Sequence, residues 1–330
     1  MPQKYDVAGL GNAIMDVIAA VDDQFLLDHG IAKGAMTLID EFRAQELHKA
    51  LADSVQVPGG SAANTMAGIA SLGGRAVFLG KVRDDHLGRR FGESLNGLGV
   101  DYTTKRATGG SSTASSMIAV TPDGQRSMNT YLGACREMTP EDVDVNEVAA
   151  AKILYIEGYL WDTDAAKEAS RKAMRAAKNA GAEIALSLSD SFCVGRFRDE
   201  FLDLMQHRLD IIFANEDEAK SLFETEDFDI VLERMKGWGG LAAVTRSEKG
   251  CVVIKGGEVH SIPAKPVAKL VDTTGAGDQF AAGFLFGLTR GKNLTACGRL
   301  GALAAAEVIS HYGPRPDVPL KDLAARDGLA

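Results

Sequence analysis

The stretch Asp272-Thr273-Thr274-Gly275-Ala276-Gly277-Asp278 runs straight into the apolar segment Gln279-Phe280-Ala281-Ala282-Gly283-Phe284-Leu285-Phe286-Gly287-Leu288. Glycines at 275 and 277 allow a tight turn and a close approach of backbone to ligand. If the apolar segment is a helix, the N–H groups of Ala276, Gly277 and Asp278 lie in its first turn without an intrahelical partner. Together with the helix dipole they favour a negative charge. A carboxylate at position 278 repels an anion rather than binding it, so its chemical use beside a phosphate is to take the proton of an attacking hydroxyl.

A second glycine cluster, Pro58-Gly59-Gly60-Ser61-Ala62-Ala63-Asn64, opens another apolar helix, Thr65 to Leu72, which closes at Gly73-Gly74. Together the two segments resemble the signature motifs of the ribokinase-like (PfkB) carbohydrate and nucleoside kinases. One is a Gly-Gly-x-x-x-Asn element that holds the phosphoryl acceptor; the other is an Asp-Thr-x-Gly-Ala-Gly-Asp element that carries anion hole and base. Order, separation and chain length fit over residues 5 to 325. The resemblance implies an α/β fold, a three-layer α/β/α domain with a mostly parallel sheet and a small β-sheet lid. It also implies an ATP-dependent phosphotransferase with an alcohol group as acceptor.

The residue pattern agrees with such a fold. After residue 135, strand-like runs (153–156, 183–186, 211–214) alternate with helical segments (164–180, 199–207), which indicates a parallel sheet covered on both faces. Ligands of such sheets sit at the carboxyl ends of the strands. Residues 12–39 and 105–131 break the alternation and read as successive strands joined by turns, with Pro122-Asp123-Gly124 as a turn signal. They are assigned to the lid, and 1–11, 40–104 and 132–330 to the large nucleotide- and acceptor-binding domain.

Composition narrows the function. The 330 residues carry a formal charge of −9 and are 45% hydrophobic, which gives ample core and argues against nucleic acid or an anionic membrane as partner. The four cysteines (135, 193, 251, 297) show no metal-ligand spacing. No signal-like stretch or apolar run of membrane-spanning length is evident. The expectation is a cytoplasmic protein that binds small molecules. Two nucleotide-motif decoys fail. Gly9-Leu10-Gly11-Asn12 lacks the third glycine of a dinucleotide fingerprint, and Gly287 to Asn293 lacks the hydroxyl residue after lysine of a Walker loop.

Phosphoryl transfer needs a base, donors for the transferring oxygens, an aligned acceptor and a divalent ion. Asp278 is the candidate base, with Gly275, Ala276 and Gly277 forming the anion hole. Arg126, beside the lid turn, suits a charge clamp delivered on closure or, equally, a surface ion pair. Asn12 and Asp16 fall on one face of an alternating strand and can bind paired hydroxyls, with Gly59, Gly60 and Asn64 against the same ring. On the nucleotide side the resemblance assigns Asn215 and Glu218, an Asn-x-x-Glu element that organises Mg²⁺ through water; a plain helix cap is the competing reading. It also assigns Thr245, Ser247 and Gly250, with Ser247 where glycine is usual, and Ser187 where many members have Asn. Asp272 and Thr274, with the 313–317 segment, correspond to the loop that binds K⁺ in many relatives, so K⁺ is an expected activator.

The Gly11-Asn12-Ala13-Ile14-Met15-Asp16 opening, the run 126–135 and Glu157-Gly158-Tyr159-Leu160-Trp161 resemble adenosine kinases more than ribokinases or fructokinases. Met36, Cys135, Tyr159 and Leu160 are candidates for the flat apolar walls an adenine needs. The function implied is transfer from ATP to the 5′-hydroxyl of adenosine, giving AMP. A ribose, fructose or other nucleoside kinase is the alternative, and a regulator that binds such a ligand without chemistry is the alternative of another class. A homodimer formed through the edge of the lid sheet is a further expectation.

Overall fold

The computed structural model describes residues 3–51 and 53–330. Its strands, in chain order, are β1 (Tyr5–Leu10), β2 (Ile14–Ala20), β3 (Met36–Leu38), β4 (Val55–Gly59), β5 (Ala76–Leu79), β6 (Val100–Tyr102), β7 (Ala114–Val120) and β8 (Arg126–Tyr131). They continue as β9 (Ala151–Glu157), β10 (Glu183–Ser187), β11 (Ile211–Asn215), β12 (Leu241–Thr245), β13 (Cys251–Lys255) and β14 (Glu258–Ile262). Nine form one sheet, ordered β14-β13-β12-β11-β10-β9-β1-β5-β6, and five form a second, ordered β3-β8-β7-β2-β4.

The large sheet is parallel from β12 to β6, with an antiparallel pair, β13 and β14, at one edge. Its central strands are buried on both faces: β1 is buried at every position, and β9 at all but one. One face packs against the helices Asp164–Ala180, Ser191–His207, Glu216–Phe223 and Phe228–Trp238 around Trp161, Phe201 and Leu186. The other packs against Ser61–Ser71, His86–Gly97, Ala276–Thr289 and Leu294–Val308 around Phe78, Phe280 and Phe284. This is the three-layer ribokinase-like arrangement.

The small sheet departs from the expected boundaries in two ways. The segment 12–39 is not all strand, because Asp22 caps a short helix, Asp23–Asp28, by accepting from Phe25 N, and Leu26 of that helix is buried against the sheet. In addition, β4 pairs antiparallel with β2, so residues 55–59 belong to the small sheet rather than to the large domain. The Glu41–Ala50 helix goes with them: its Leu47 packs on Val17, Met117 and Ala119. The Pro-Asp-Gly turn forms between β7 and β8, with Gly124 N–H donating to the Thr121 carbonyl at 2.8 Å.

The helices Ala276–Thr289 and Leu294–Val308 pack so closely that a Cβ at Gly283 would overlap the Leu300 carbonyl oxygen, and one at Gly301 would meet the Phe280 ring at 2.7 Å. Phe280, whose ring meets Gly301, is buried, and burial of such a side chain contributes roughly 1.5–3 kcal/mol. The contact fixes where the first turn of the 276–289 helix points. Gly283→Val is expected to destabilise the fold by about 1–3 kcal/mol or more, read by urea unfolding; an unchanged midpoint would mean the two helices separate freely.

Candidate active site

The two sheets meet where the motif helices begin. Gly275 caps the 276–289 helix in the left-handed region at φ 79°, and a Cβ there would strike Pro314 at 2.6 Å. By contrast a Cβ at Gly277 would meet nothing within 4 Å. Gly275 therefore serves the turn and its packing, while Gly277 leaves the approach to the backbone open. Of the three N–H groups read as free, that of Ala276 is bonded back to the Thr273 carbonyl at 3.2 Å. Those of Gly277 and Asp278 remain as first-turn groups that a helix does not satisfy internally.

Asp278 connects the two glycine motifs. Its Oδ1 accepts from Ser61 Oγ at 2.6 Å and its Oδ2 from Asn64 Nδ2 at 3.1 Å. Desolvation raises its pKa, opposed by the bonds from Ser61 and Asn64 and by the charge of Arg315. A carboxylate raised in this way is a better proton acceptor than one in water. The Ser61–Ser71 helix is aligned to it by Gln279, whose Nε2 donates to the Asn64 and Pro314 carbonyls, both at 3.0 Å.

The acceptor side lies on β2. Asn12, Ile14, Asp16 and Ile18 are half-buried while Ala13, Met15 and Val17 are buried, the alternation expected of a strand with one open face. Gly60 stands at φ 93°, and a Cβ there would overlap the Asn12 carbonyl oxygen; at Gly59 one would sit 2.5 Å from Asp16 Oδ2. Both glycines thus let the acceptor loop press against β2 beside Asp16. Burial pushes the Asp16 carboxyl up to about 6, with Arg315 and Arg126 opposing.

A single row of residues crosses the small sheet on this face. Asp16 pairs with Ser116, Ser116 with Thr130, and Thr130 with Leu38; Ser116 Oγ and Thr130 Oγ1 are 2.8 Å apart. Leu38 and Thr130 also line a cavity of ≈ 420 Å³ with Ile39, Tyr131 and Leu132 and with the polar Ser111, Arg136, Glu137 and Thr163. From Asp16 to Thr130 is two strand spacings, roughly 10 Å.

Several expectations need correction here. Leu160 is 1% exposed and lies with Trp161 in the apolar core beneath the sheet, so it offers a ligand no surface; it follows a strand end whose apolar residues turn inward to cover the sheet. Cys135 is buried too, its thiol donating to the Leu132 carbonyl at 2.7 Å, behind the cavity wall. Met36, by contrast, is 58% exposed on the edge strand of the small sheet and Tyr159 36% exposed.

Arg126 is neither free nor on the surface. Its Nη1 donates to Asp272 Oδ2 at 2.7 Å, with both side chains under a tenth exposed, and the pair ties the small sheet to the loop that leads into the anion hole. Arg126 Nε and Nη2 are buried without an acceptor. Asp272 Oδ2 also accepts from Gly313 N, and Oδ1 from Thr274 N and Oγ1. Four donors fill the carboxylate, and Arg126 already brings the positive charge. Asp272 and Thr274 as arranged here do not fit K⁺, and no step is assigned to that ion.

The nucleotide-side residues gather at the carboxyl ends of neighbouring strands: Ser187 ends β10, Asn215 ends β11 in register with Thr245, which ends β12. Asn215 and Glu218 form a reciprocal capping box, Glu218 N donating to Asn215 Oδ1 at 2.8 Å and Asn215 N to Glu218 Oε2 at 3.0 Å. The structure shows the helix cap that was the competing reading of these two residues. Burial first, then the charges of Asp190 and Asp217, push the Glu218 carboxyl up to about 7. A hydrated divalent cation would relieve that excess of negative charge, so the donor set fits Mg²⁺ held through water. Ser247 adopts φ 50°, a conformation that favours glycine and costs a serine about 1 kcal/mol or more. Gly250, at φ 85°, ends the same turn.

Three residues that hold the site together escaped the sequence reading. Ser61 stood inside the quoted motif but was passed over for its glycines and asparagine. Glu157 is fully buried at the end of β9, accepting from Asn12 N at 2.8 Å and Ala62 N at 2.9 Å, so one carboxylate pins both the entry to β2 and the first turn of the 61–71 helix. Its carboxyl is pushed up to about 7, chiefly by burial, with the Asp278 charge adding. Arg315, in the 313–317 loop, donates through Nε to Asn64 Oδ1 at 3.0 Å.

A family model described as pfkB family carbohydrate kinase matches residues 10–321. The chain belongs to that family. It is similar to an adenosine kinase from Sinorhizobium meliloti, 54% identical over 98% of this chain and 99% of that one, with a TM-score of 0.89. It is also similar to a probable sugar kinase from Rhizobium etli CFN 42, 50% identical over the whole of both chains, with a TM-score of 0.91. The adenosine kinase of Saccharomyces cerevisiae is 28% identical over 329 residues, 92% of this chain and 95% of that protein. The pfkB protein is accordingly a phosphotransferase that uses a hydroxyl acceptor, a small molecule, with ATP as the nucleotide its family implies. Among the described residues no helix is long and apolar enough to cross a membrane.

Glu157 makes stability depend on pH. A carboxyl pushed up to about 7 from the ordinary glutamate value of 4.5 means its contribution is complete below about pH 4.5 and is lost as pH rises through 7. Glu157→Gln should therefore flatten the decline of unfolding free energy between pH 5 and 7.5, measured with urea at each pH. An identical slope in both proteins would show that Glu157 does not titrate in that window.

Proposed function

We propose that this pfkB kinase transfers the γ-phosphoryl group of ATP to the 5′-hydroxyl of adenosine, giving AMP and ADP. The observation that carries the reading is the row Asp16–Ser116–Thr130–Leu38. It joins a carboxylate suited to a ribose diol to a cavity lined by Leu38, Ile39, Tyr131 and Leu132 and by the polar Ser111, Arg136, Glu137 and Thr163, roughly 10 Å away and so within reach of the far edge of a base on that ribose. A sugar alone would occupy the Asp16 end and leave the cavity end empty. The likeness to the Sinorhizobium meliloti adenosine kinase supports the same acceptor. A sugar kinase is the second reading, favoured by the comparable likeness to the Rhizobium etli protein.

In this reading the ribose 2′ and 3′ hydroxyls bind Asp16 and Asn12, which leaves the 5′-hydroxyl to face Asp278. Ser61 and Asn64 hold one carboxylate oxygen each, so the base is oriented before the acceptor arrives and little reorganisation is needed on the way to the transition state. Asp278 accepts the hydroxyl proton as the oxygen–phosphorus bond forms. The N–H groups of Gly277 and Asp278 and the positive end of the helix dipole face the charge on the transferring oxygens. Mg²⁺, held through water near Glu218, would neutralise part of the nucleotide's negative charge. Arg126 anchors the small sheet over the site through Asp272, and a closed lid keeps water from competing for the phosphoryl group.

The test is to offer adenosine, inosine, guanosine, ribose and fructose in parallel with ATP and Mg²⁺ and to identify products by mass. AMP should form at least about a hundredfold faster than any sugar phosphate, the discrimination expected when a base pocket worth about 3 kcal/mol is filled or left empty. Faster formation of a sugar phosphate would overturn the acceptor while leaving the Asp278 chemistry intact.

A further inference from the structure

Arg315 is held in place from both sides of its loop. Glu307 Oε1 accepts from the N–H groups of Asp317 and Val318 at 2.9 and 3.2 Å, and the Pro314 carbonyl accepts from Gln279 Nε2 at 3.0 Å. Pro314 itself packs on Gly275. The guanidinium is therefore presented by a fixed loop and not by a flexible arm. Its Nε donates to Asn64 Oδ1 at 3.0 Å, and Asn64 Nδ2 in turn donates to Asp278 Oδ2 at 3.1 Å. Its Nη1 and Nη2 are inaccessible and have no acceptor.

The chain of bonds has a direction. An asparagine amide can flip, and a flipped Asn64 would turn its carbonyl oxygen toward the Asp278 carboxylate, two acceptors facing each other. With Oδ1 taken by an obligate donor, only the NH₂ group faces Asp278. The same guanidinium is a positive charge between two desolvated acids, and it lowers the pKa of both Asp16 and Asp278. Desolvation otherwise acts on both carboxyls in the opposite sense. A buried guanidinium with two unmet donors is costly by itself, so its retention there needs a compensating gain.

We propose that Arg315 is a positioning residue for the phosphoryl-transfer base: its Nε locks the Asn64 amide so that Nδ2 faces Asp278, and its buried charge compensates the Asp278 carboxylate. This rests on the reading of Asp278 as the base. Loss of Arg315 leaves Asp278 facing Tyr155, Glu157 and Tyr159 from β9 and the turn after it, all of which feel the Asp278 charge or each other's. On its other side lie the neutral Ser61 and Asn64. Asp16, with Arg126 near it, lies across the pocket. Asp278 would then protonate at higher pH and lose its fixed partner together.

The experiment compares the wild type with Arg315→Met, Arg315→Lys and Asp278→Asn, measuring kcat and kcat/KM for the acceptor that the wild type phosphorylates, from pH 5 to 9. The limb of interest is that in kcat, because bound acceptor already engages Asp16 and a shift there belongs to Asp278. Arg315→Met should move the acid limb of kcat upward by at least about one pH unit, as loss of a neighbouring opposite charge does, with activity recovering toward alkaline pH. Arg315→Lys should keep the limb near its wild-type position with a lowered plateau, since a lysine keeps the charge but not the planar fork. A Met variant whose activity falls equally at every pH overturns the proposal, as does a Lys limb displaced as far as the Met limb. If the Met variant melts below the assay temperature, Arg315→Gln is read by the same criteria. Near-normal turnover by Asp278→Asn would refute the base itself; an inactive Asn variant with an unshifted Met limb would refute only the role of Arg315.

Discussion

Everything in this active site depends on holding one half-buried carboxylate, Asp278, where desolvation works against its charged form. Desolvation raises its pKa, and the neighbouring donors oppose that shift. The structure meets that cost with a short list of fixed donors: Ser61 Oγ on one oxygen, Asn64 Nδ2 on the other, and a helix N-terminus beneath. Each comes from a segment whose position is set by packing. The 61–71 helix is pinned by Glu157 through Ala62 N and by Gln279 through the Asn64 carbonyl. The 276–289 helix is pinned by its close contact with Leu294–Val308. A core built for stability thus fixes reacting groups to within the few tenths of an ångström that phosphoryl transfer needs.

The small sheet extends this logic to the acceptor. Its inner face carries Asp16, Ser116, Thr130 and Leu38 in one register row, while the opposite face is sealed by Leu26 and Leu47. Only a strand pairing fixed to the residue keeps such a row together, since a slip by one position would send Asp16 to the sealed face. Glu157 accepts from Asn12 N and Ala62 N alike. That single carboxylate therefore joins the strand that reads the acceptor to the helix that supports the base. The Arg126–Asp272 pair makes the corresponding connection at the other side of the lid.

Much of this was legible in the chain because local chemistry and global position coincide. A glycine pair before an apolar helix has few uses, and Gly275 and Gly277 have the two expected of them, tight turn and open approach. The parallel sheet followed from strand and helix alternating after residue 135. What could not be read depended on partners far apart in sequence. Residues 55–59 look like any short strand, and only pairing with β2 assigns them to the small sheet. Leu160 and Tyr159 are neighbours, yet one faces the core and the other the surface, a distinction made by a turn whose direction no periodicity reports. Asp272 resembles an ion ligand until Arg126, 146 positions earlier, is found on it. Arg315 and Asn64 are 251 positions apart, and nothing local to either suggests that they meet.

The most direct test of the central claim is a single-turnover comparison of wild type and Asp278→Asn with saturating ATP and Mg²⁺, alongside calorimetric measurement of acceptor affinity. Asparagine keeps the shape and can still bond Ser61 and Asn64, but it cannot accept the hydroxyl proton. The account predicts a fall in the transfer rate of about three orders of magnitude or more with acceptor affinity changed less than about threefold, because the lost interaction is made mainly in the transition state. A transfer rate within about tenfold of the wild type would contradict it.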